Sequence, residues 1–281
     1  MIKNKIVKYF PFVRKIRQMQ RKIYFFTKLS LKKIFKKYSI KKQERQLQFK
    51  AYECNADLLN YDSDINLKSH HNKIENLKIA SEYINKIIIK PGETFSFWNI
   101  IGSITARKGY KDSICHIRGE IVSDIGGGIC KLSSLIFYCA LHTGLKIVER
   151  HSHNIQEKNV NLLSKIPLGM DAAVSEGWFD LVIKNQTDTT YQIIIYIDDS
   201  IIKCKILSDK KEKFKYEVYE KNNKYFKSSN KLYYYNEIYR KILDKKSNLL
   251  LEDEFLFNNT YKLVNNICTI DNSSKQLHIN I

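Results

Sequence analysis

The sequence lacks the features that mark disulfide frameworks, membrane spans and secretory leaders. Its six cysteines, spread over 281 residues, form no Cys-x-x-Cys pair and no framework spacing, which predicts a reduced chain without structural disulfides. It has no run of about 18 apolar residues, so we expect no membrane-spanning helix. The chain does not begin with a compact apolar stretch and a small-residue cleavage site. We therefore expect it to be cytoplasmic or peripheral at the membrane, with export left open.

Glycine and proline are also scarce, and their distribution is uneven. The chain has ten glycines and three prolines. All ten glycines lie between Gly92 and Gly177, and two of the prolines, Pro91 and Pro167, lie in or beside the same window. Because glycine allows tight turns and close approaches of the backbone, this window is where we expect a site built from loops.

Positive charge is concentrated at the N-terminus. The net charge is +19, and residues 1–50 contain 17 of the 48 Lys and Arg residues but only one of the 29 acidic residues. The rest of the chain therefore carries a net charge of only +3. A nearly neutral core argues against a nucleic-acid-binding protein, because such proteins need a basic surface to contact phosphates.

The basic segment also contains bulky apolar residues at helical spacing, such as Ile6, Phe10, Ile16 and Ile23. This mixture favours an anionic membrane surface over DNA as the partner of residues 1–50. The alternative is a basic amphipathic helix that docks on the protein's own domain.

The hydrophobic patterns predict an α+β protein. We expect a compact core of mixed helices and strands in which a Gly-rich turn feeds a central helix, with a basic helical N-terminal segment and a β-rich C-terminal extension. The expected boundaries are 1–50 for the basic segment, 51–207 for the core domain and 208–281 for the extension. Within the core, residues 145–155 and 179–207 are predicted to form strands.

The central helix is predicted over KLSSLIFYCALHTG, residues 131–144. Its apolar residues recur at the spacing of one helix face, namely Leu132, Leu135, Ile136, Cys139 and Ala140. This pattern predicts a helix that faces the core, with Gly144 as its C-terminal cap. A second amphipathic helix is predicted where Leu77, Ala80 and Ile84 fall on one stripe.

Three consecutive glycines, Gly126, Gly127 and Gly128, precede Cys130 at the expected start of the central helix. Glycines leave room for a substrate backbone, and they permit conformations that point successive N–H groups into one concavity. The helix N-terminus carries unsatisfied N–H groups and a partial positive charge, which favour a thiolate and an oxyanion. The pattern therefore makes Cys130 a candidate nucleophile. The alternative is that the glycines form only a loop and the cysteine packs as a small apolar residue.

A cysteine nucleophile needs a base, and VERHSHNI supplies His151 and His153 as candidates. On a strand, their side chains and that of Glu149 would share one face. Asp171 lies in another Gly- and Pro-marked turn and could orient the imidazole as the third member of a triad. Zinc held by Cys130 and the two histidines is the alternative. Its spacing matches no common zinc signature, so we expect no metal and no cofactor.

The remaining cysteines are expected to pack as small apolar residues, namely Cys54, Cys139, Cys204 and Cys268. Cys115, beside His116, is either a second thiol at the site or another packing residue.

Four stretches together resemble the VanW family, which is associated with glycopeptide-resistance gene clusters. They are KPGETFSFW (90–98), GGGICKLSSLIF (126–137), ALHTGLKIVERHSH (140–153) and LGMDAAVSEGWFDLVIKNQT (168–187). The resemblance covers roughly residues 77–206, and the basic N-terminal sequence FPFVRKIRQMQRKIYF resembles the same family.

The resemblance implies an activity on peptidoglycan, because some members look like peptidoglycan transpeptidases of the L,D type. By that resemblance Cys130 attacks the carbonyl of the third residue of a stem peptide, with His153 as the base, and the acyl group passes to an amine of a neighbouring stem. The residues expected to bind substrate or oxyanion are Gly126, Gly127, Gly128, Ser133 and Arg150. The cation of Lys131, beside the thiol, is expected to favour the thiolate.

A non-catalytic accessory module is the alternative to an enzyme. In that case the glycine turn and the helix start would bind a carboxylate of a peptidoglycan stem peptide or precursor, without thiol chemistry.

Overall fold

The computed structural model describes residues 11–58, 67–117, 120–153, 155–157, 168–229, 231–264, 268–269 and 278–279. The first ten positions of the predicted basic segment and Pro167 lie outside these residues, as do the side chains of Cys115, His116 and Cys268.

The described ranges contain four α-helices, α1 (Pro11–Phe35), α2 (Leu67–Ile84), α3 (Phe97–Ile101) and α4 (Cys130–Leu141), and a 3-10 turn at Ala106–Lys108. The first ten strands are β1 (Phe49–Asp57), β2 (Ile88–Ile89), β3 (Thr94–Ser96), β4 (Asp112–Ile117), β5 (Glu120–Ile125), β6 (Lys146–Glu149), β7 (Ile155–Glu157), β8 (Val182–Lys184), β9 (Tyr191–Ile197) and β10 (Ile201–Ser208). The others are β11 (Phe214–Ser228), β12 (Lys231–Asp244), β13 (Leu250–Val264), β14 (Cys268–Thr269) and β15 (His278–Ile279). None of the described helices combines the length and apolar character that a membrane crossing requires.

The core is built around α4. An antiparallel sheet of order β1-β10-β9-β2 packs against α4 through β1 and β10, and α2 contacts both α4 and β9. The five apolar positions of the predicted stripe are all fully buried, namely Leu132, Leu135, Ile136, Cys139 and Ala140. Leu77, Ala80 and Ile84 on α2 are buried as well. Helical periodicity therefore predicted both buried faces correctly.

Three other sheets of the described residues complete the fold around this core. The β4-β5 hairpin leads directly into the glycine turn before α4, and the β3-β8-β6 sheet carries the chain that follows α4. The long strands β11, β12 and β13 form an antiparallel sheet, which β7 extends by pairing in parallel with β13. The fold is thus α+β with a β-rich C-terminal region, as the sequence predicts.

The predicted strand through the two histidines is wrong beyond Glu149, where β6 ends. Instead of continuing in the sheet, His151 O accepts a hydrogen bond from Ala173 N at 2.7 Å. The backbone N–H of His153 donates to the Asp171 carboxylate at 3.0 Å. The alternating pattern fails here because the backbone finds its partners in the loop after Gly169, which the local sequence does not reveal.

Gly144 is not the helix cap that the sequence predicts. Helix α4 has His142 as its C-cap, with φ of −92°. A Cβ atom on Gly144 would lie 2.8 Å from Thr187 Cγ2 and 3.1 Å from the Tyr191 hydroxyl oxygen. Glycine is required at this position by close packing rather than by a left-handed backbone.

Candidate active site

The glycine turn between β5 and α4 is held by its backbone conformation and by one buried side chain. Gly126 and Gly128 have φ of +83° and +99°, in the left-handed region that favours glycine. The fully buried Asn76 amide of α2 donates to Gly127 O and Lys111 O, both at 3.0 Å, and accepts from Lys111 N at 2.8 Å. The role of Asn76 was not predicted from the sequence. Its only sign in the sequence is that this polar residue stands between core positions of an amphipathic helix.

The space beside two of the three glycines is filled by the protein's own side chains. A Cβ on Gly126 would lie 2.6 Å from Ile104 Cγ2, and a Cβ on Gly128 would lie 3.1 Å from Lys73 Cβ. Gly127 is buried, and its carbonyl is bonded to Asn76. The glycines therefore shape the turn and let neighbouring elements approach it, which differs from the open substrate path that the sequence suggests.

Cys130 is the first residue of α4. Its N-cap residue, Ile129, offers no side-chain cap to the helix, and the N–H groups of Lys131 and Leu132 instead donate to Gly128 O (3.1 Å) and Ile129 O (3.0 Å). The sulfur is free and partly buried, and the thiol donates to Val174 O at 3.4 Å. A partly accessible thiol at a helix N-terminus is in an environment that favours thiolate formation.

His153 connects Cys130 to Asp171. The imidazole Nδ1 is hydrogen-bonded to Asp171 Oδ2, which also accepts from the backbone N of His153. Each of His153 and Cys130 shifts the pKa of the other. Because Asp171 occupies Nδ1, Nε2 is the nitrogen left to face the sulfur, in the order of a Cys–His–Asp triad.

The pKa values of the triad follow from its charges. Burial raises the pKa of Cys130, but the hydrogen bond and charge of His153 outweigh burial and bring this pKa below its usual value. Burial lowers the pKa of His153, but Asp171 and Cys130 reverse the effect and raise the pKa of His153 to about 10. Burial raises the pKa of Asp171, whereas His153 and Arg150 lower it to about 2. These charges therefore favour a thiolate–imidazolium pair at Cys130 and His153 beside the Asp171 carboxylate.

Arg150 lies behind Asp171. Its guanidinium donates to Asp171 Oδ1 (3.1 Å), Asp171 O (2.7 Å), Gly169 O (2.8 Å) and Asn259 Oδ1 (2.6 Å). The side chain is 7% exposed and lies 4.4 Å from the Phe257 ring centroid. The predicted substrate-binding residue thus has its donors directed at the protein itself, where it anchors the Asp171 loop.

The β-rich extension contributes directly to this anchor. Tyr261 on β13 is 1% exposed and donates from its hydroxyl to Asp171 Oδ1 at 3.0 Å. Asn259, two residues earlier on the same strand, binds Arg150. Sequence reasoning missed both residues, because nothing local connects a strand of the extension with a loop about 90 positions earlier.

Ser133 and Ser134 fasten the loop to α4. Both hydroxyls donate to Ala172 O, at 2.7 and 3.3 Å, and Ala172 N donates back to Ser134 Oγ at 3.0 Å. Both serines are fully buried. Ser133, predicted to bind substrate or oxyanion, is therefore placed where it positions Asp171 and Val174 relative to Cys130.

His151 has different partners from His153. Its Nε2 lies 3.3 Å from Glu149 Oε1, and its ring stacks on Phe179 with centroids 4.3 Å apart. The two histidines of the H-x-H sequence are thus directed to different groups. Among the described residues, no set of three or more His, Cys, Asp and Glu side chains is arranged to hold a metal ion.

The Lys131 ammonium is hydrogen-bonded to the backbone at the end of β1. Its Nζ donates to Asp57 O at 2.6 Å, and burial together with the nearby Lys73 lowers the pKa of Lys131 to about 8. The cation that perturbs Cys130 is the His153 imidazolium.

Comparison with known proteins gives one family. A family model described as "VanW like protein" matches residues 72–207. The "Vancomycin B-type resistance protein VanW" of Enterococcus faecalis is 32% identical over 263 residues, which are 94% of this chain and 94% of that protein. The "Uncharacterized protein YoaR" of Bacillus subtilis is 36% identical over 118 residues, 42% of this chain and 37% of that protein. No solved structure matches the chain significantly.

Proposed function

The chain belongs to the VanW family, and we propose that it is a cysteine acyltransferase that acts on peptidoglycan stem peptides in vancomycin resistance. The observation that carries the proposal is the Cys130–His153–Asp171 arrangement at the start of α4, with a lowered thiol pKa and a raised imidazole pKa. The link to vancomycin resistance is extended from the name of the Enterococcus faecalis relative.

In the first half of the proposed reaction the Cys130 thiolate attacks a peptide carbonyl. The sulfur–carbon bond forms, and the carbonyl electrons move to the oxygen, where the Cys130 N–H and the positive end of the α4 dipole stabilise the negative charge. The C–N bond then breaks, and the leaving amine takes the proton from His153 Nε2. The products are a thioester on Cys130, a free amine and a neutral imidazole.

In the second half an amine of another stem peptide attacks the thioester. Neutral His153 takes the proton from this amine, the new amide bond forms, and Cys130 leaves as a thiolate. The site returns to its thiolate–imidazolium state without a net change in protons. Asp171 keeps Nε2 directed at the reaction, and Arg150 and Tyr261 keep Asp171 in place.

The experiment that tests this proposal uses the full chain and purified muropeptides, with new cross-linked species measured by mass spectrometry. We expect cross-links with the native protein and none with Cys130→Ala. Cys54→Ala is the matched control, because Cys54 is a partly buried thiol near the other end of α4. Cross-linking that persists in Cys130→Ala would overturn the thiol mechanism.

A binding module is the second candidate, favoured by the uncapped N-terminus of α4 beside the His153 imidazolium. These groups would bind a stem-peptide carboxylate. If the native protein forms no cross-links, and if stem peptides bind equally to native protein and to Cys130→Ala, the function is binding rather than acyl transfer.

A further inference from the structure

Helix α1 has two apolar faces, and the described residues cover only one of them. Leu29 is buried, and Phe25 and Phe26 pack against the core. The opposite side carries five exposed apolar side chains, Ile16 (50%), Met19 (65%), Ile23 (57%), Leu31 (57%) and Ile34 (71%). We call these five residues the outer face. Exposed large apolar residues aligned on one side of a helix mark a binding surface rather than an ordinary protein surface.

The outer face runs along the helix in two groups, with Ile16, Met19 and Ile23 in one, Leu31 and Ile34 in the other, and the exposed Thr27 and Ser30 between them. At about 100° per residue its five members fall within an arc of roughly 120°, and at about 1.5 Å per residue they span some 27 Å of the axis. The docked residues Phe25 and Leu29 fall on the opposite side by the same geometry, and Phe26 falls at the edge of the outer face. The outer face therefore points away from the fold along most of the helix.

Basic residues lie beside the outer face. Helix α1 contains eight Lys and Arg residues and no acidic residue. By helical position Arg17 and Lys28 border one edge of the outer face and Lys33 borders the other. Exposed apolar residues on one side of a helix, with basic residues at both edges, are the pattern of a helix that lies in the surface of an anionic bilayer, with its apolar side chains among the acyl chains and its basic side chains at the headgroups.

We infer that the outer face of α1 docks the protein on an anionic lipid bilayer, while the inner face of the same helix holds the loop beside Cys130. The two alternatives that the sequence leaves open, membrane binding and docking on the protein's own domain, are thereby assigned to opposite sides of one helix. This inference does not rest on acyl transfer, because it concerns where the site is held rather than what it does.

The inner face reaches the active-site loop through two charged contacts. Lys22 Nζ lies 2.8 Å from Glu176 Oε2, and the Glu176 side chain is only 7% exposed. The Arg21 guanidinium lies 4.0 Å from the Trp178 ring centroid. These loop residues directly follow Val174, whose carbonyl accepts from the Cys130 thiol. A bilayer-bound α1 would therefore lie between the lipid and the loop that contacts the nucleophile.

Vesicle sedimentation of the full chain tests the outer face. Vesicles of equal parts phosphatidylglycerol and phosphatidylcholine should bind the native protein, and vesicles of phosphatidylcholine alone should bind it at least tenfold more weakly. The double variant Ile23→Glu, Ile34→Glu should bind the mixed vesicles at least tenfold more weakly than native protein, with an unchanged melting temperature because both positions are exposed.

The matched control is Leu249→Glu, Leu251→Glu, whose positions are 61 and 51% exposed at the start of β13. It should bind as native protein does.

Two results would overturn the proposal for the outer face. One is binding of the double variant at the native level. The other is a lipid-free dimer of the native protein, seen by light scattering, that becomes monomeric in the double variant. The outer face would then be an interface between protein copies.

The inner face is tested by the reactivity of Cys130. Lys22→Gln should retain vesicle binding but change the rate of Cys130 alkylation by iodoacetamide at least threefold, because a buried carboxylate beside the loop loses its partner. Lys36→Gln, at an exposed position just after α1, is the control and should react as native protein does. Equal rates in Lys22→Gln and native protein would reject the connection between α1 and the loop.

Discussion

Asp171 holds His153 at two points: its Oδ2 is bonded to the imidazole Nδ1 and to the backbone N of the same residue, the latter at 3.0 Å. This double contact fixes the ring plane and the tautomer together, so that Nε2 is the nitrogen available to Cys130. Arg150 and Tyr261 bind the other carboxylate oxygen. The orientation of the base thus depends on a loop, a preceding arginine and a strand of the C-terminal sheet.

Replacing Asp171 by Asn should greatly reduce the activity of the site, although the side chain keeps nearly the same shape. An amide that donates to Nδ1 favours the wrong tautomer and no longer stabilises the imidazolium, so we expect a loss of about 10²–10⁴-fold in acyl-transfer rate. Alkylation of Cys130 at neutral pH should also slow, because the thiol pKa rises when His153 is no longer charged. Tyr261→Phe keeps the carboxylate and should slow both reactions by less than tenfold. Equal alkylation rates in native protein and Asp171→Asn would contradict this assignment.

The pH dependence should differ between alkylation and acyl transfer. The pKa of Cys130 is lowered and the pKa of His153 is raised to about 10, so the ion pair exists between these two values. As the pH falls through the lowered pKa of Cys130, the thiolate is protonated and both rates fall. As the pH rises through about 10, His153 loses the proton that the leaving amine needs, and only acyl transfer falls. In His153→Gln the acidic limb of the alkylation profile should move to higher pH, towards the usual thiol pKa.

Arg150→Lys should destabilise the protein although it preserves the charge. A lysine ammonium cannot reproduce the fork of bonds to Asp171, Gly169 and Asn259 in a buried site, and we expect a loss of about 2–4 kcal/mol in the free energy of unfolding. Chemical denaturation monitored by circular dichroism measures this change. Arg45→Lys, at an exposed position, is the control and should change stability by less than about 0.5 kcal/mol. A similarly small effect of Arg150→Lys would mean that the buried fork does not hold the loop.

Gly126→Ala should separate backbone strain from steric overlap. Gly92 has a similar φ of +79° with no heavy atom within 4 Å of a Cβ, so Gly92→Ala should lose only about 1–2 kcal/mol from left-handed strain. Gly126→Ala should lose more, because its Cβ would lie 2.6 Å from Ile104 Cγ2. Adding Ile104→Ala should recover part of this additional loss in a double-mutant cycle of unfolding free energies. Equal losses at the two glycines would show that Ile104 does not fill the space.

Much of the central helix could be predicted from the sequence. The apolar spacing of Leu132, Leu135 and Cys139 is a local property of the chain, and burial of that stripe follows wherever the helix packs. The position of Cys130 at the helix start follows from the glycines that end the preceding strand. The assignment of the base to His153 came from family resemblance, since alternation alone placed both histidines on one face.

The supports of the site could not be predicted in the same way. Ser133 and Arg150 are polar residues beside a predicted nucleophile, which favours a substrate-binding role when only the sequence is known. Their partners, Ala172 and Asn259, are 39 and 109 positions away along the chain. Buried polar groups must find hydrogen-bond partners, but the sequence does not say which distant groups these will be.

The sequence by itself determined the local features of this protein: a buried helix with a thiol at its start, a run of three glycines before that thiol and a basic arm with apolar residues at helical spacing. Each of these depends on residues within one or two helical turns. The tertiary structure decided which histidine interacts with Cys130, which groups bind Asp171 and which face of α1 packs against the core. Those outcomes depend on contacts between segments far apart in the chain, where burial and hydrogen bonding select partners that no local pattern encodes.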